Sequence, residues 1–213
     1  MRFVAMLIII SFIFSGCTVI FQKGRRSDIE KIQDLSHQLD LLAQTKTLLE
    51  ERLKKEIADK EVRIEMLEKG LVVTFVADVL FDSGKAKIRP EAYVALDKVA
   101  KVLLEHVPNN NIGVEGHTDN DPIKYSGWKS NWELSTARAL SVLHYLVDDK
   151  GLSPARVSAI GYGEYRPVDT NDTKQGRKLN RRVEIVIFPQ VTKVKQDSQK
   201  QESDLEEVPK GYK

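Results

Sequence analysis

Between Ser27 and Lys69 the chain holds neither Gly nor Pro, and this absence constrains its fold more than any other feature. Gly and Pro are the residues that most readily interrupt a helix. Without them the stretch reads as one long α-helix, residues 27–69. Apolar residues recur along it at threes and fours: Ile32, Leu35, Leu39, Leu42, Leu49 and Leu53, then Ile57, Ile64 and Leu67, with Lys46 in one seam position. That is an a/d seam. The two successive steps of four, Leu49 to Leu53 to Ile57, form a stutter that relaxes a left-handed supercoil. Ser27-Asp28-Ile29-Glu30 suits a capping box at the start, and Gly70 suits a C-terminal stop. A narrow apolar stripe needs a partner in water. The expected solution is self-association as a coiled-coil stalk, dimer or trimer. The alternative is a single helix folded back on the following domain. Fully helical, the stalk would reach about 65 Å at ~1.5 Å per residue. His37 lies within it, without a second residue at metal-ligand spacing.

The N-terminus has the layout of an export signal: Arg2, then an apolar run from Phe3 to Phe14 broken only by Ser11, then Ser15, Gly16 and Cys17. Cys17 is the only cysteine, so no intramolecular disulfide forms. The layout resembles a bacterial lipobox, with Phe14 where an aliphatic residue is usual. The resemblance implies removal of residues 1–16 and lipidation of Cys17, which opens a linker, 17–26. Thr18, in place of an Asp, points under the same resemblance to the outer membrane, facing the periplasm. The alternative is an uncleaved helix in the inner membrane, since Phe3 to Phe21 is uncharged and approaches the ~20 residues a span needs. Lys23, Arg25 and Arg26 would then flank it on the side that the positive-inside tendency assigns to the cytoplasm.

Charged residues make up 30% of the chain, yet the net charge is only +2. Acids and bases are interleaved, which argues against nucleic acid as a partner. The tail, residues 191–213, is rich in Lys, Gln, Glu and Ser and reads as disordered.

Residues 70–190 read as one α+β domain of order β-α-β-α-β-β, a mixed sheet with helices on one face. The first strand is Leu71 to Val76, continued by Val79 to Phe81 and turned at Asp82-Ser83-Gly84. Pro90 opens a helix carrying Tyr93, Leu96, Val99, Ala100, Leu103 and Leu104. Ile112 to Gly116 is the second strand. A second helix runs from about Asn131 to Asp149, with Leu134, Ala137, Leu140, Leu143, His144 and Val147 on its expected buried stripe. Val157 to Gly161 is the third strand. Residues 162–180 read as a loop. Arg181 to Phe188 is the last strand, with Val183, Ile185 and Ile187 inward.

Two charged residues stand out at this level. Asp119 sits in the turn after a short strand, and Arg138 sits in the helix that follows. An acid and a base so placed suit a small zwitterion, Asp119 for its ammonium and Arg138 for its carboxylate, because a guanidinium forks onto a carboxylate. On these residues alone, a structural salt bridge between the two is the other reading.

The ordered set Val79-Leu80-Phe81-Asp82-Ser83-Gly84-Lys85-Ala86, Glu115-Gly116-His117-Thr118-Asp119, Asn131 to Arg138, Gly161-Tyr162-Gly163-Glu164 and Asn180 to Ile185 resembles the OmpA-like C-terminal domain shared by OmpA, Pal lipoproteins and MotB. The loop with Asp121-Pro122-Ile123 and the run Ser130 to Ser135 are most similar to the MotB branch. The resemblance implies binding of un-crosslinked peptidoglycan stem peptide through diaminopimelate, with Asp119 on the ammonium and Arg138 on the carboxylate. Asn131 either holds a ligand group or caps the second helix. Thr118 and Leu134 shape the pocket, and Phe81 and Asp82 approach it. Arg181 either reaches the pocket or braces Glu164 or the sheet. Trp128 and Trp132 either cover a sugar or a partner, or pack.

An enzyme is not expected. His117 and Asp119 have no second histidine at ligand spacing, no nucleophile is assembled, and Gly161-x-Gly163 is too short for a nucleotide loop. No catalytic residue, metal or cofactor is assigned. A MotB-like stator would carry an intramembrane Asp, and Phe3 to Phe21 has none. The resulting expectation is a lipid-anchored tether between outer membrane and wall, with a motor-associated or scaffold protein as the alternative. Replacement of Cys17 tests the anchor: Cys17→Ser is expected to move the protein from the membrane to the soluble fraction on ultracentrifugation. A variant that stays in the membrane fraction favours the uncleaved helix.

Overall fold

The computed structural model describes residues 28–124 and 126–190. The expected signal segment, Cys17, the linker and the tail lie outside the described residues. Among the described residues no helix is long and apolar enough to cross a membrane.

Helix α1 occupies residues 28–52 and passes through Leu53 into α2 (Lys54–Ala58). The expected helix to Lys69 therefore ends at Ala58. The stop is a Schellman turn: Glu61 N–H donates to Glu56 O at 2.9 Å and Lys60 N–H to Ile57 O at 3.0 Å. Lys60 holds the left-handed position, φ 60°, where Gly is usual. After the turn, Val62-Arg63-Ile64-Glu65-Met66-Leu67 forms strand β1 (Val62–Leu67), paired antiparallel with β2 (Gly70–Val76). Ile64 and Leu67 are thus strand residues and not a helix seam. Gly70 closes the hairpin. Its φ is +127°, and a Cβ there would meet the Ile187 carbonyl oxygen at 2.3 Å.

Residues Ala77–Leu80 form one helical turn, α3, instead of extending the strand, and Phe81 bridges Ile88. Pro90 begins the 3-10 turn that leads into α4 (Tyr93–Glu105). Strand β3 (Ile112–His117), helix α5 (Asn131–His144) with a π-helical end at Tyr145–Asp149, strand β4 (Val157–Gly161), helix α6 (Lys174–Asn180) and strand β5 (Arg182–Ile187) follow. The α6 helix lies within the expected loop. The fold is α+β, with a five-stranded mixed sheet of order β1-β2-β5-β3-β4. Only β3 and β4 are parallel.

Alternation decides which sheet face is apolar. Leu71, Val73 and Phe75 of β2, Ile112 and Val114 of β3, and Val183, Ile185 and Ile187 of β5 enter one core cluster with Leu96, Val99 and Leu103 of α4 and Val142 of α5. The buried stripe of α5 is Leu134, Ser135, Arg138, Ala139 and Val142. Leu140 and His144, expected inside, are exposed. The helix meets the sheet through small residues, because Gly116 and Gly161 leave no side chain beneath it: a Cβ at Gly116 would meet Ser135 O at 2.0 Å, and one at Gly161 would meet Thr136 Oγ1 at 2.1 Å.

Helix α1 divides into two parts. Leu42, Leu49 and Leu53 are fully buried in the same core cluster. Arg52 reaches Glu105 at 3.8 Å, and Glu56 accepts from Lys98 at 2.6 Å, which ties the helix to α4. Ile29, Ile32, Leu35 and Leu39 are 47–67% exposed. The C-terminal half is therefore folded onto the domain, and the N-terminal half presents the apolar stripe. Leu49→Ala is expected to lower the unfolding free energy by about 2–5 kcal/mol in urea titration, the usual cost of a buried Leu truncation. A change under about 0.5 kcal/mol, typical of surface positions, would contradict the assignment of this half to the core.

Candidate functional site

An open pocket of about 870 Å³ lies where β3 ends. Three loops and one helix build it. Phe81, Asp82 and Lys85 come from the segment after α3, Thr118, Asp119 and Asp121 from the segment after β3, and Asn131, Leu134 and Arg138 from α5. Arg181 enters from the junction of α6 and β5. The α5 residues recur at i, i+3 and i+7, so they share one stripe.

Arg138 is 4% exposed. Its Nε donates to Lys85 O at 2.9 Å and its Nη2 to Asp82 O at 3.4 Å, and its guanidinium lies 5.2 Å from the Phe81 ring centre. Among the described residues it forms no ion pair with a carboxylate. Burial draws its pKa down to about 10, with Asp78 opposing and Arg181 adding to the fall. It remains a cation at neutral pH. A buried cation in contact with carbonyl oxygens and a ring face but with no paired carboxylate is costly, and an anion entering the pocket would relieve that cost.

Asp119 is 6% exposed. Its carboxylate accepts from Arg181 Nη1 at 2.7 Å and from the Asp121 amide at 3.3 Å. The salt bridge considered between Asp119 and Arg138 is not the one formed; the partner is Arg181. The same guanidinium donates to both Asp78 oxygens, at 3.3 and 3.0 Å. Burial lowers the Arg181 pKa, but Asp78 and Asp119 outweigh it and hold the group above its usual value. Arg181 therefore reaches the pocket and does not brace Glu164.

Asn131 is not the helix cap. Ser130 takes that position, its Oγ accepting from Glu133 N–H at 3.3 Å. Asn131 Nδ2 instead donates to Asp119 O at 3.3 Å, Asp121 O at 3.2 Å and Glu164 Oε2 at 2.7 Å. It staples the Asp119 loop to the turn after β4. The Thr118 amide donates to Gly163 O at 2.9 Å, while its buried Oγ1 has no partner. Leu134 adds an apolar wall. Asp82 contributes its carbonyl to Arg138, while its carboxylate pairs with Lys85 at 2.9 Å. That pairing, first through the hydrogen bond from Lys85, lowers the Asp82 pKa. Asp78 was missed at the sequence level, because it lies within a run read as a strand.

All eight pocket residues named from the sequence thus line one cavity. A family model of the OmpA family matches residues 80–181, the span from the first pocket loop to Arg181. The chain belongs to the OmpA family. Motility protein B of Bacillus subtilis is 40% identical over 148 residues, 70% of this chain and 56% of that protein. The chain thus spans about half the length of that relative. The solved cell wall anchor of the T6SS from Pseudomonas aeruginosa is 37% identical, with a TM-score of 0.61, and covers 67% of this chain and 97% of that one. A MotB-like protein from Desulfovibrio vulgaris has a TM-score of 0.67 at 26% identity, covering 73% of this chain and 99% of that one. Within the OmpA family, these likenesses place the chain near the MotB branch.

A second charged group lies on the other sheet face. Lys69 Nζ bridges Glu115 Oε2 at 2.6 Å and Glu184 Oε2 at 2.7 Å, and Arg182 Nε donates to Glu184 Oε1 at 2.6 Å. His117, 2% exposed, lies 4.0 and 3.9 Å from the two carboxylates and stacks on Tyr162 at 5.2 Å. Glu115, His117 and Glu184 have the donor types of a metal site, but Lys69 and Arg182 already balance the two carboxylates. Burial, then the nearby Arg182 charge, pushes the His117 pKa down to about 3. Burial would raise Glu184, but Arg182 and Lys69 hold it at about 2.

Both shifts weaken the fold in acid. Between pH 6.5 and about 3 the unfolded chain protonates His117 and the folded chain does not, so stability falls as pH falls. Glu184 adds to this below its ordinary 4.5. His117→Gln is expected to shrink the loss of unfolding free energy between pH 7 and pH 5, as read by urea titration at each pH. An unchanged slope would remove His117 as its source.

Proposed function

We propose that this chain is a non-catalytic binder of un-crosslinked peptidoglycan stem peptide. Diaminopimelate is the group it recognises. The observation that carries this reading is the buried Arg138 guanidinium, charged and without a carboxylate partner among the described residues, in a pocket that also presents the Asp119 carboxylate. A ligand with an ammonium and a carboxylate on one carbon answers both. Arg138 takes the carboxylate, and Asp119 takes the ammonium in competition with Arg181. Asn131, Thr118, Leu134, Phe81 and Asp82 hold these groups and shape the pocket. Membership of the OmpA family and likeness to a solved cell wall anchor support the same reading. A binding role needs no assembled acid, base and nucleophile.

The attachment proposed is a lipid on Cys17, holding the domain in the periplasm and linking the outer membrane to the wall. Self-association through the exposed stripe Ile29, Ile32, Leu35 and Leu39 extends the proposal. One observation favours a second reading, in which an uncleaved N-terminal helix lies in the inner membrane of a motor-associated protein. It is the 40% identity to Motility protein B of Bacillus subtilis.

Pull-down by purified sacculi tests the pocket. The protein without its first sixteen residues is expected to co-sediment. Asp119→Ala and Arg138→Ala are each expected to weaken binding by about tenfold or more, in line with loss of a charge-assisted contact. Arg138→Lys should not restore it, because an ammonium does not fork onto a carboxylate. Full binding by folded Asp119→Ala and Arg138→Ala proteins would overturn the assignment.

A further inference from the structure

Two large aromatic side chains stand in solvent beside the pocket. Trp132 is 47% exposed and Tyr165 is 64% exposed. Their rings stack at 5.1 Å between centres and 22° between planes. Neither belongs to the core cluster.

The pair does not line the pocket itself but stands next to a residue that does. Trp132 follows Asn131, and Tyr165 follows Glu164. The 2.7 Å hydrogen bond from Asn131, a pocket residue, to Glu164 therefore joins the two segments carrying the rings. The turn between β4 and Tyr165 is fixed at several points. The Gly163 amide donates to Ser135 Oγ at 3.0 Å, the Thr118 amide donates to Gly163 O at 2.9 Å, and the Tyr165 amide donates to Tyr162 O at 3.3 Å. Gly163, at φ +56°, lies so close to Trp132 that a Cβ on it would meet the Trp132 amide nitrogen at 3.4 Å and Cδ2 at 3.6 Å. The backbone that carries the rings is thus held in place.

Trp128 provides the contrast. Its indole N–H donates to Gly84 O at 2.8 Å and pins the first pocket loop. The Trp132 indole N–H has no such partner among the described residues. A half-exposed aromatic pair with a free ring face and a free donor suits a pyranose ring. The sugar's C–H face packs on the π-surface, and an amide carbonyl on the sugar can accept the indole hydrogen.

We propose that Trp132 and Tyr165 form a glycan subsite continuous with the peptide pocket, taking an N-acetylhexosamine of the strand to which the stem peptide is joined. This inference rests on the peptide reading above. The subsite makes the domain recognise a sugar-bearing peptide in preference to a free one. Asn131 is the shared wall between the two subsites.

Titration of the full protein, freed only of residues 1–16, with two probes tests the subsite. One probe is the stem tripeptide ending in diaminopimelate. The other is the same tripeptide on its N-acetylglucosamine–N-acetylmuramic acid disaccharide. The wild type is expected to bind the sugar-bearing probe about fivefold more tightly, the scale of one good aromatic contact. Trp132→Ala and Tyr165→Ala are each expected to reduce or abolish that gain. Both should leave the affinity for the free peptide unchanged, which also reports an intact fold. Equal affinity of the wild type for the two probes, or a gain that survives both substitutions, overturns the glycan subsite and leaves the peptide reading standing. Binding of neither probe overturns the peptide reading, and the subsite with it.

Discussion

Helix α5 lies directly on strands β3 and β4 because two glycines are side by side beneath it. Gly116 and Gly161 are register partners in the parallel pair, and a side chain at either would strike α5 at Ser135 or Thr136. The pocket depends on this approach. Asn131, Leu134 and Arg138 descend from α5, and the Asp119 loop leaves the end of β3. If the helix rode higher, Arg138 would lift off Phe81 and away from the carbonyls of Asp82 and Lys85. Asn131 would then lose the three acceptors that fasten the Asp119 loop. Close packing transmits such shifts instead of absorbing them. The buried face of α5 accordingly places Ser135, Arg138 and Ala139 between Leu134 and Val142, so small residues meet the sheet where the two glycines lie.

Two charged networks lie on opposite sides of the sheet, and they differ in how far they are balanced. On the far side, Lys69 and Arg182 match Glu115 and Glu184, and His117 is left neutral. Its carboxylates are matched, although both ring nitrogens of the buried His117 lack a hydrogen-bond partner among the described residues, and it fastens the β1–β2 hairpin across the sheet. On the pocket side, Arg181 is shared by Asp78 and Asp119, while Arg138 is left to backbone oxygens. In the proposed stem-peptide complex an ammonium would share Asp119 with Arg181 and gain only the difference. An arriving carboxylate meets a guanidinium that has no rival anion in contact. Under that proposal most of the binding energy would come from the Arg138 end, since breaking or making a buried charge contact outweighs exchange of one ion pair for another.

The strands were legible because their alternation is clean: Val183, Ile185 and Ile187 face inward as the spacing predicts. The family motifs brought all eight site residues to one pocket, since those motifs are themselves the loops that form it. Three features escaped for identifiable reasons. The end of α2 carries Lys60 in a left-handed conformation, so no Gly announced it. Ile64, one of the alternating Val62, Ile64 and Met66, also stands seven residues from Ile57, so a strand passed for a seam. The α5 stripe was read with Leu140 and His144 on it, because a periodicity search looks for large residues, whereas the helix turns the small Ser135 and Ala139 to the sheet between Leu134 and Val142. The partner of Asp119 was open for another reason. Arg181 and Asp119 are distant in sequence, and only the antiparallel pairing of β3 with β5 brings His117 opposite Arg182 and so the two loops together.

The division of α1 alters what the N-terminal segment does mechanically. A free stalk over residues 27–69 would hold the domain off a membrane by tens of ångströms and leave its orientation loose. Leu42, Leu49 and Leu53 are part of the domain core, so the helix from there onward turns with the domain. Among the described residues, those at 28–39 are mostly exposed, about 18 Å of helix at ~1.5 Å per residue. The exposed stripe falls on this short stretch. A partner helix docking on it would fix the orientation of the pocket as well as its distance, because helix and domain share one core. A three-turn seam is short for an independent coiled coil in water. Association through it would therefore be weak unless the chains were already concentrated on a membrane, where a common anchor raises their effective concentration.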